Sequence, residues 1–108
     1  MKKICTIKEN TWLAKAAAKK MRAKHLAIVF NKTIHLYGIT RLQFIADKEL
    51  MCHELTHVLQ YQRHGIFVFL VRYIWEWLHV GYYNISFEKE ARANESNIEM
   101  LNKFEFRA

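Results

Sequence analysis

His53, Glu54 and His57 stand in one His-Glu-Leu-Thr-His run, and their types and spacing point to a specific chemistry. Side chains four residues apart share one face of an α-helix, so His53 and His57 project side by side, one turn apart. Two imidazoles in that relation can ligate one Zn²⁺ at about 2.0–2.1 Å each. Glu54 is turned about 100° around the axis from His53. From there it reaches a water on the cation without ligating the cation itself. Zinc acidifies such a water toward a pKa of about 7, and Glu54 is placed to take its proton and pass it to a leaving amine. The expectation is peptide-bond hydrolysis with Glu54 as the catalytic residue and one zinc per chain.

A catalytic zinc keeps three protein ligands and one open position. His64 falls about 10 Å along the helix axis from His57, too far to share the ion. The longer three-histidine motif is absent, because Arg63 stands where its third histidine would fall. The third ligand must come from a later segment, and Glu88, Glu90, Glu95 and His79 are the candidates. Cys52 points off the ligand face. Tyr82, Tyr83, His79 and Arg92 could each donate to a developing oxyanion.

The elements that hold these residues follow from local pattern. Asp47 predicts an N-cap, and Leu50, Met51, Leu55, Val58, Leu59 and Tyr61 recur at helical steps up to Gly65. The motif sits in the middle of this helix. Ile66–Val80 reads as a second helix, apolar almost all round, that faces the core or a partner, a second copy included. Its about 15 residues, interrupted by Arg72 and Glu76, fall short of the roughly 20 a membrane span needs. The polar stripe Arg72, Glu76, His79 and Tyr83 fits an ion pair or a seam facing a cavity equally well.

Upstream, residues 10 to 24 predict a surface helix capped by Asn10 or Thr11, with Trp12, Ala16, Lys19 and Ala23 as its inward stripe. Two β-rich runs, residues 26–30 and 33–38, flank Asn31-Lys32 and predict a hairpin. Residues 39–46 fit a strand or the approach to a helix. Ser86 predicts the N-cap of a last helix from Phe87 to Lys103. The fold class expected is α+β, mostly helical, one domain over residues 1–108, with a small hairpin or short sheet packed on the motif helix. The hairpin edge could bind an extended peptide by strand addition.

Composition bounds the rest. The 108 residues are 52% hydrophobic and 25% charged, enough apolar content for a core. The net charge of +7 admits nucleic acid, anionic lipid or acidic substrates. Lys15, Lys19, Lys20, Arg22 and Lys24 read as one solvated helix face. No zinc ribbon or base-stacking motif supports nucleic acid as a partner. Cys5 and Cys52 lack metal or redox spacing and suit reduced thiols. The N-terminal apolar run is too short for a signal peptide. A cytoplasmic protein without a transmembrane segment is expected, acting on peptide or protein substrates.

His-Glu-Leu-Thr-His followed by Phe87-Glu88-Lys89-Glu90-Ala91 resembles the gluzincin metallopeptidases. In their CAAX-processing and related branches, a Glu-x-x-Ala-Asp segment on a downstream helix supplies the third ligand. Glu88 and Ala91 match its Glu and Ala, whereas Arg92 replaces the Asp, and Glu95 could stand in for that acid. Residues 40 to 97 also resemble a group of short bacterial metallopeptidase-like proteins. The resemblance implies a minimal gluzincin core with His53, His57 and Glu88 as ligands and Glu90 as the fallback. Two other functions fit the chain: a DNA-associated protease similar to SprT-like proteins, and a catalytically inactive zinc-binding or regulatory module whose metal is structural or vestigial.

Overall fold

The computed structural model describes residues 2–108. Strand β1 (Lys3–Glu9) leads into helix α1 (Trp12–Met21), then strands β2 (Leu26–Phe30) and β3 (Thr33–Tyr37). Helices α2 (Arg41–Ala46), α3 (Lys48–His64) and α4 (Ile66–Val80) follow. A 3₁₀ turn at Tyr82–Asn84 precedes α5 (Ser86–Ala93), a second 3₁₀ segment (Ile98–Lys103) and strand β4 (Phe104–Arg107). The α+β, mostly helical class expected from the sequence is the one observed.

The strands form one mixed sheet in the order β2-β3-β1-β4. β2 and β3 pair antiparallel as the expected hairpin, with Val29 opposite Ile34. Asn31 turns it with φ +58, a left-handed value that asparagine tolerates. Sequence pattern reveals neither β4, which follows the segment expected as the last helix, nor β1. β1 sits inside the sheet, parallel to β3 (Ile7 opposite Ile34) and parallel to β4 (Cys5 opposite Phe106). Both partners are remote in sequence, and the run carries lysines and Glu9 outward while only Cys5 and Ile7 are buried.

The sheet's inward residues Cys5, Ile7, Val29, Ile34, Leu36 and Phe104 join α3's Met51, Leu55 and Val58 in one core cluster. Those three α3 positions are spaced by four and three, the stripe of a helix lying on a sheet. Asp47 caps α3 as expected, its carboxylate accepting from Leu50 N–H at 3.1 Å. Within residues 39–46, Arg41–Ala46 become helical, started by the reciprocal capping box of Thr40 and Gln43.

Three expectations are corrected. α1 buries Ala14 and Ala18, not the stripe of Trp12, Ala16, Lys19 and Ala23; Trp12 is 80% exposed. Thr11, not Asn10, caps it and also meets His35 Nδ1 at 2.9 Å. The long last helix stops at Ala93. There Asn94 folds its N–H onto the carbonyls of Glu90, Ala91 and Arg92 and its side-chain amide onto Glu90 O. Asn94, Ser96 and Asn97 are poor helix interiors, since their side chains compete for backbone groups. Ser86 is the first helical residue rather than the cap, and its N–H and hydroxyl donate to Glu76 at 2.7 and 2.9 Å.

α4, expected to face the core or a partner, packs little of its surface on the core. Only Phe69 is fully buried on it. Arg72 and Glu76 pair at 3.8 Å, and His79 stacks on Trp75 at 4.0 Å. The polar stripe is therefore an ion pair and a capping contact to α5, and the cavity lies against a different, apolar face of the helix. No helix among the described residues is long and apolar enough to cross a membrane.

Candidate metal centre

α3 sets His53 and His57 side by side, their ring centroids 5.1 Å apart and their planes 75° apart. α5 lies across them and places Glu88 between. Glu88 Oε1 is 3.0 Å from His53 Nε2 and 3.2 Å from His57 Nε2. Ligand atoms of all three residues lie within 4.8 Å of one another. Tetrahedral zinc with bonds of about 2.0–2.1 Å has ligand atoms roughly 3.3–3.4 Å apart, so the observed spacings suit one such ion.

The outer faces of both rings are held. His53 Nδ1 is 2.8 Å from Glu95 Oε2, and His57 Nδ1 is 2.8 Å from Gln60 Oε1. A carboxylate can only accept, so the ring nitrogen of His53 facing Glu95 carries the proton. The Gln60 side-chain nitrogen donates to Phe87 O (3.0 Å) and Glu90 Oε1 (2.7 Å). Those two acceptors fix the amide's orientation, so its oxygen must face His57 and accept from Nδ1–H. Both outer contacts thus fix Nδ1–H outward on each ring and leave Nε2 as the atom facing inward, the usual arrangement for a metal-binding histidine, and a proton that Nε2 donates to Glu88 Oε1 must leave before it ligates a metal. The donor set fits a divalent zinc.

Glu88 is itself oriented by Tyr73, whose hydroxyl donates to Oε2 at 2.6 Å. Burial pushes the Glu88 carboxyl up, but the contacts with His53, His57 and Tyr73 outweigh it and hold it far below the usual carboxylate range. Burial likewise lowers His53, yet Glu88, Glu54 and Glu95 raise it overall to about 9. His57 is raised by the same contest between burial and the Glu88 and Glu54 charges. Glu54 is buried beside the rings, and loss of hydration lifts it to about 7 against the opposing pull of His57 and His53.

The remaining sequence candidates separate cleanly. Glu90 binds Gln60 and Arg63 (3.4 Å) and faces away from the rings. Glu95 leaves the helix at the Asn94 turn and meets the outer nitrogen of His53, so it braces a ligand. His64 packs on Phe87 at 5.4 Å, and His79 Nδ1–H donates to Trp75 O. Cys52 is buried with its thiol toward Asn97 O. Arg92 lies over the Tyr83 ring at 3.9 Å and donates to the Tyr83 carbonyl. Of the four oxyanion-donor candidates, Tyr82 alone lines the cavity at the site. Burial and the charges of Glu88 and Glu54 push its hydroxyl up to about 12, so it stays a donor. Gln60 and Tyr73 were not singled out by sequence reasoning. Gln60, three residues past His57, carries a detectable signal, being an amide on the ligand face one turn on; Tyr73 has none.

Glu54, Glu88 and the two rings open into a cavity of about 380 Å³. One wall is β2 from Leu26 to Val29, and the other is α4 through Leu70, Tyr73 and Trp77. Among the described residues, β2 is one of the two edges of the sheet, β4 being the other. On the β2 edge the Val29 carbonyl accepts from Tyr61 OH at 3.2 Å.

The eCIS core domain matches residues 7–65. That stretch runs from within β1 to the end of α3 and contains His53, Glu54 and His57, while Glu88 lies beyond it. No curated protein and no solved structure matches the chain. With more than half of its length matched, the chain belongs to the eCIS core domain family.

Proposed function

We propose that this protein is a zinc metallopeptidase of gluzincin type, with His53 Nε2, His57 Nε2 and Glu88 as ligands and Glu54 as general base. One observation carries the reading: two inward Nε2 atoms and a buried carboxylate from a separate helix converge, with a second buried carboxylate alongside. Bound zinc would supply a Lewis acid for the substrate carbonyl and acidify a water.

The chain's own residues supply the rest. Glu54, lifted toward neutrality by burial, accepts the water's proton and returns it to the leaving amine. Glu95 and Gln60 keep the two rings from rotating, and Tyr73 keeps Glu88 aimed. Tyr82 offers a neutral hydroxyl to the oxygen that gains charge. An extended peptide fits along the Leu26–Ile28 part of the β2 edge, where backbone pairing needs no particular sequence. Apolar side chains then face Leu70, Tyr73 and Trp77.

The test compares metal content with turnover. Purified chain should hold one zinc, and Glu54→Gln should keep it while peptide cleavage falls by about 10²–10⁴-fold. Undiminished cleavage by Glu54→Gln removes Glu54 from its role. Full zinc occupancy with no cleavage of any unfolded protein by the wild type leaves a binding module instead.

A further inference from the structure

α4 presents solvent with a stripe that nothing among the described residues covers. Phe69, Leu70, Tyr73 and Trp77 face the cavity, Arg72 and Glu76 contact α5, and His79 stacks on Trp75. The remaining sector holds Phe67, Val68, Val71, Ile74, Trp75 and Leu78, between 47% and 80% exposed. At about 100° per residue these six occupy a sector roughly 120° wide. No charged residue interrupts it.

We propose that this stripe seats the protein in the interface of an anionic lipid bilayer, with α4 lying in the membrane plane. The argument is independent of what the metal centre does. A contiguous apolar face of this size on a small protein marks an interaction surface. The 15-residue α4 is too short to span a bilayer, so it can lie on one but not cross it. Its outward residues are the types that insert at the headgroup boundary, where an indole satisfies both apolar and polar surroundings.

Charge selects among the occupants. At +7, two copies stacked through this face would repel, whereas the same charge draws the chain to an anionic surface. Arg63 and Arg72 beside the stripe are paired with Glu90 and Glu76, so the attraction comes from the chain's net charge and from Lys20 on the cavity wall rather than from these two. Nucleic acid has no acyl phase to take up the stripe's aliphatic side chains, whereas a bilayer interface does. Apolar insertion plus a basic surplus supplies the two signals that stable, reversible membrane attachment requires. The apolar surface also continues to the cavity, where exposed Met21, Trp77 and Tyr82 line the wall beside Lys20.

Co-sedimentation of the full chain with vesicles tests this. Vesicles of equal parts phosphatidylglycerol and phosphatidylcholine should pellet the protein, phosphatidylcholine alone should not, and added salt should weaken the binding. Ile74→Ser, Trp75→Ser and Leu78→Ser together should lower the bound fraction at least about tenfold. Leu42→Ser, at a residue 79% exposed on α2, should leave it unchanged. Should the triple variant fail to fold, Trp75 in a Trp12→Phe, Trp77→Phe background should be quenched by brominated acyl chains. Absence of that quenching, failure of wild type to bind the anionic vesicles, or equal binding by a folded triple variant overturns the proposal. So does a wild-type dimer in light scattering that the triple substitution converts to a monomer, which would assign the face to a second copy.

Discussion

Replacing Gln60 by leucine tests how the centre is held. Gln60 is fully buried, and its amide makes three hydrogen bonds, to His57 Nδ1, Phe87 O and Glu90 Oε1. Leucine fills similar space but makes none. Glu90 keeps Arg63 and reaches water, whereas the His57 N–H and the Phe87 carbonyl lose a buried partner. Two unsatisfied buried groups at about 1–3 kcal/mol each predict a loss of roughly 2–6 kcal/mol. A chain of this size has a total of about 5–15 kcal/mol, so the variant is severely weakened and is best studied cold. Freeing His57 to rotate and change tautomer should also weaken zinc binding about 10–100-fold. Denaturant unfolding of metal-free protein gives the first quantity, and competition with a chromophoric chelator gives the second. Gln60→Leu that loses the expected stability yet binds zinc like wild type would refute the tautomer argument and leave Gln60 as packing between α3 and α5.

Other outcomes follow from the same geometry. Glu88→Ala should abolish tight zinc binding, whereas Glu90→Ala should leave the stoichiometry at one in chelator titrations; the opposite pattern would move the third ligand to Glu90. His53 holds its proton to about 9, so apparent zinc affinity should rise with pH from 6.5 to 9, about tenfold per unit for each proton displaced. In metal-free protein the sign is opposite for stability. The raised His53 contributes fully below 6.5, and that contribution is lost as pH climbs through about 9, readable as a falling denaturation midpoint. Burial pushes the Cys5 thiol up to about 12, so a thiol reagent at pH 8 should label Cys5 only when the chain unfolds. Gly38 holds φ +70, and an added Cβ would clash with the Lys24 carbonyl oxygen, so Gly38→Ala should cost about 1–3 kcal/mol in an unfolding titration.

What the sequence determines here is what covalent geometry enforces over a few residues. The i,i+4 spacing of His53 and His57 must place both rings on one face once Asp47 starts the helix. The hairpin about Asn31 and the breaks at Gly65 and Gly81 are local in the same sense. The choice among acids is different. Glu88, Glu90 and Glu95 stand within one short segment, and only the packing of α5 across α3 turns Glu88 to the inner nitrogens, Glu90 to Gln60 and Arg63, and Glu95 to the outer nitrogen of His53. The stop at Asn94 makes that third contact possible, since a helix continued to Lys103 would carry Glu95 about 10 Å along the axis from Glu88. Likewise β1 acquires its place inside the sheet from partners at Thr33 and Phe104, contacts that no periodicity within Lys3–Glu9 encodes. Tyr73's grip on Glu88 has the same origin, because pairings between distant segments are decided by how whole elements bury their apolar faces together.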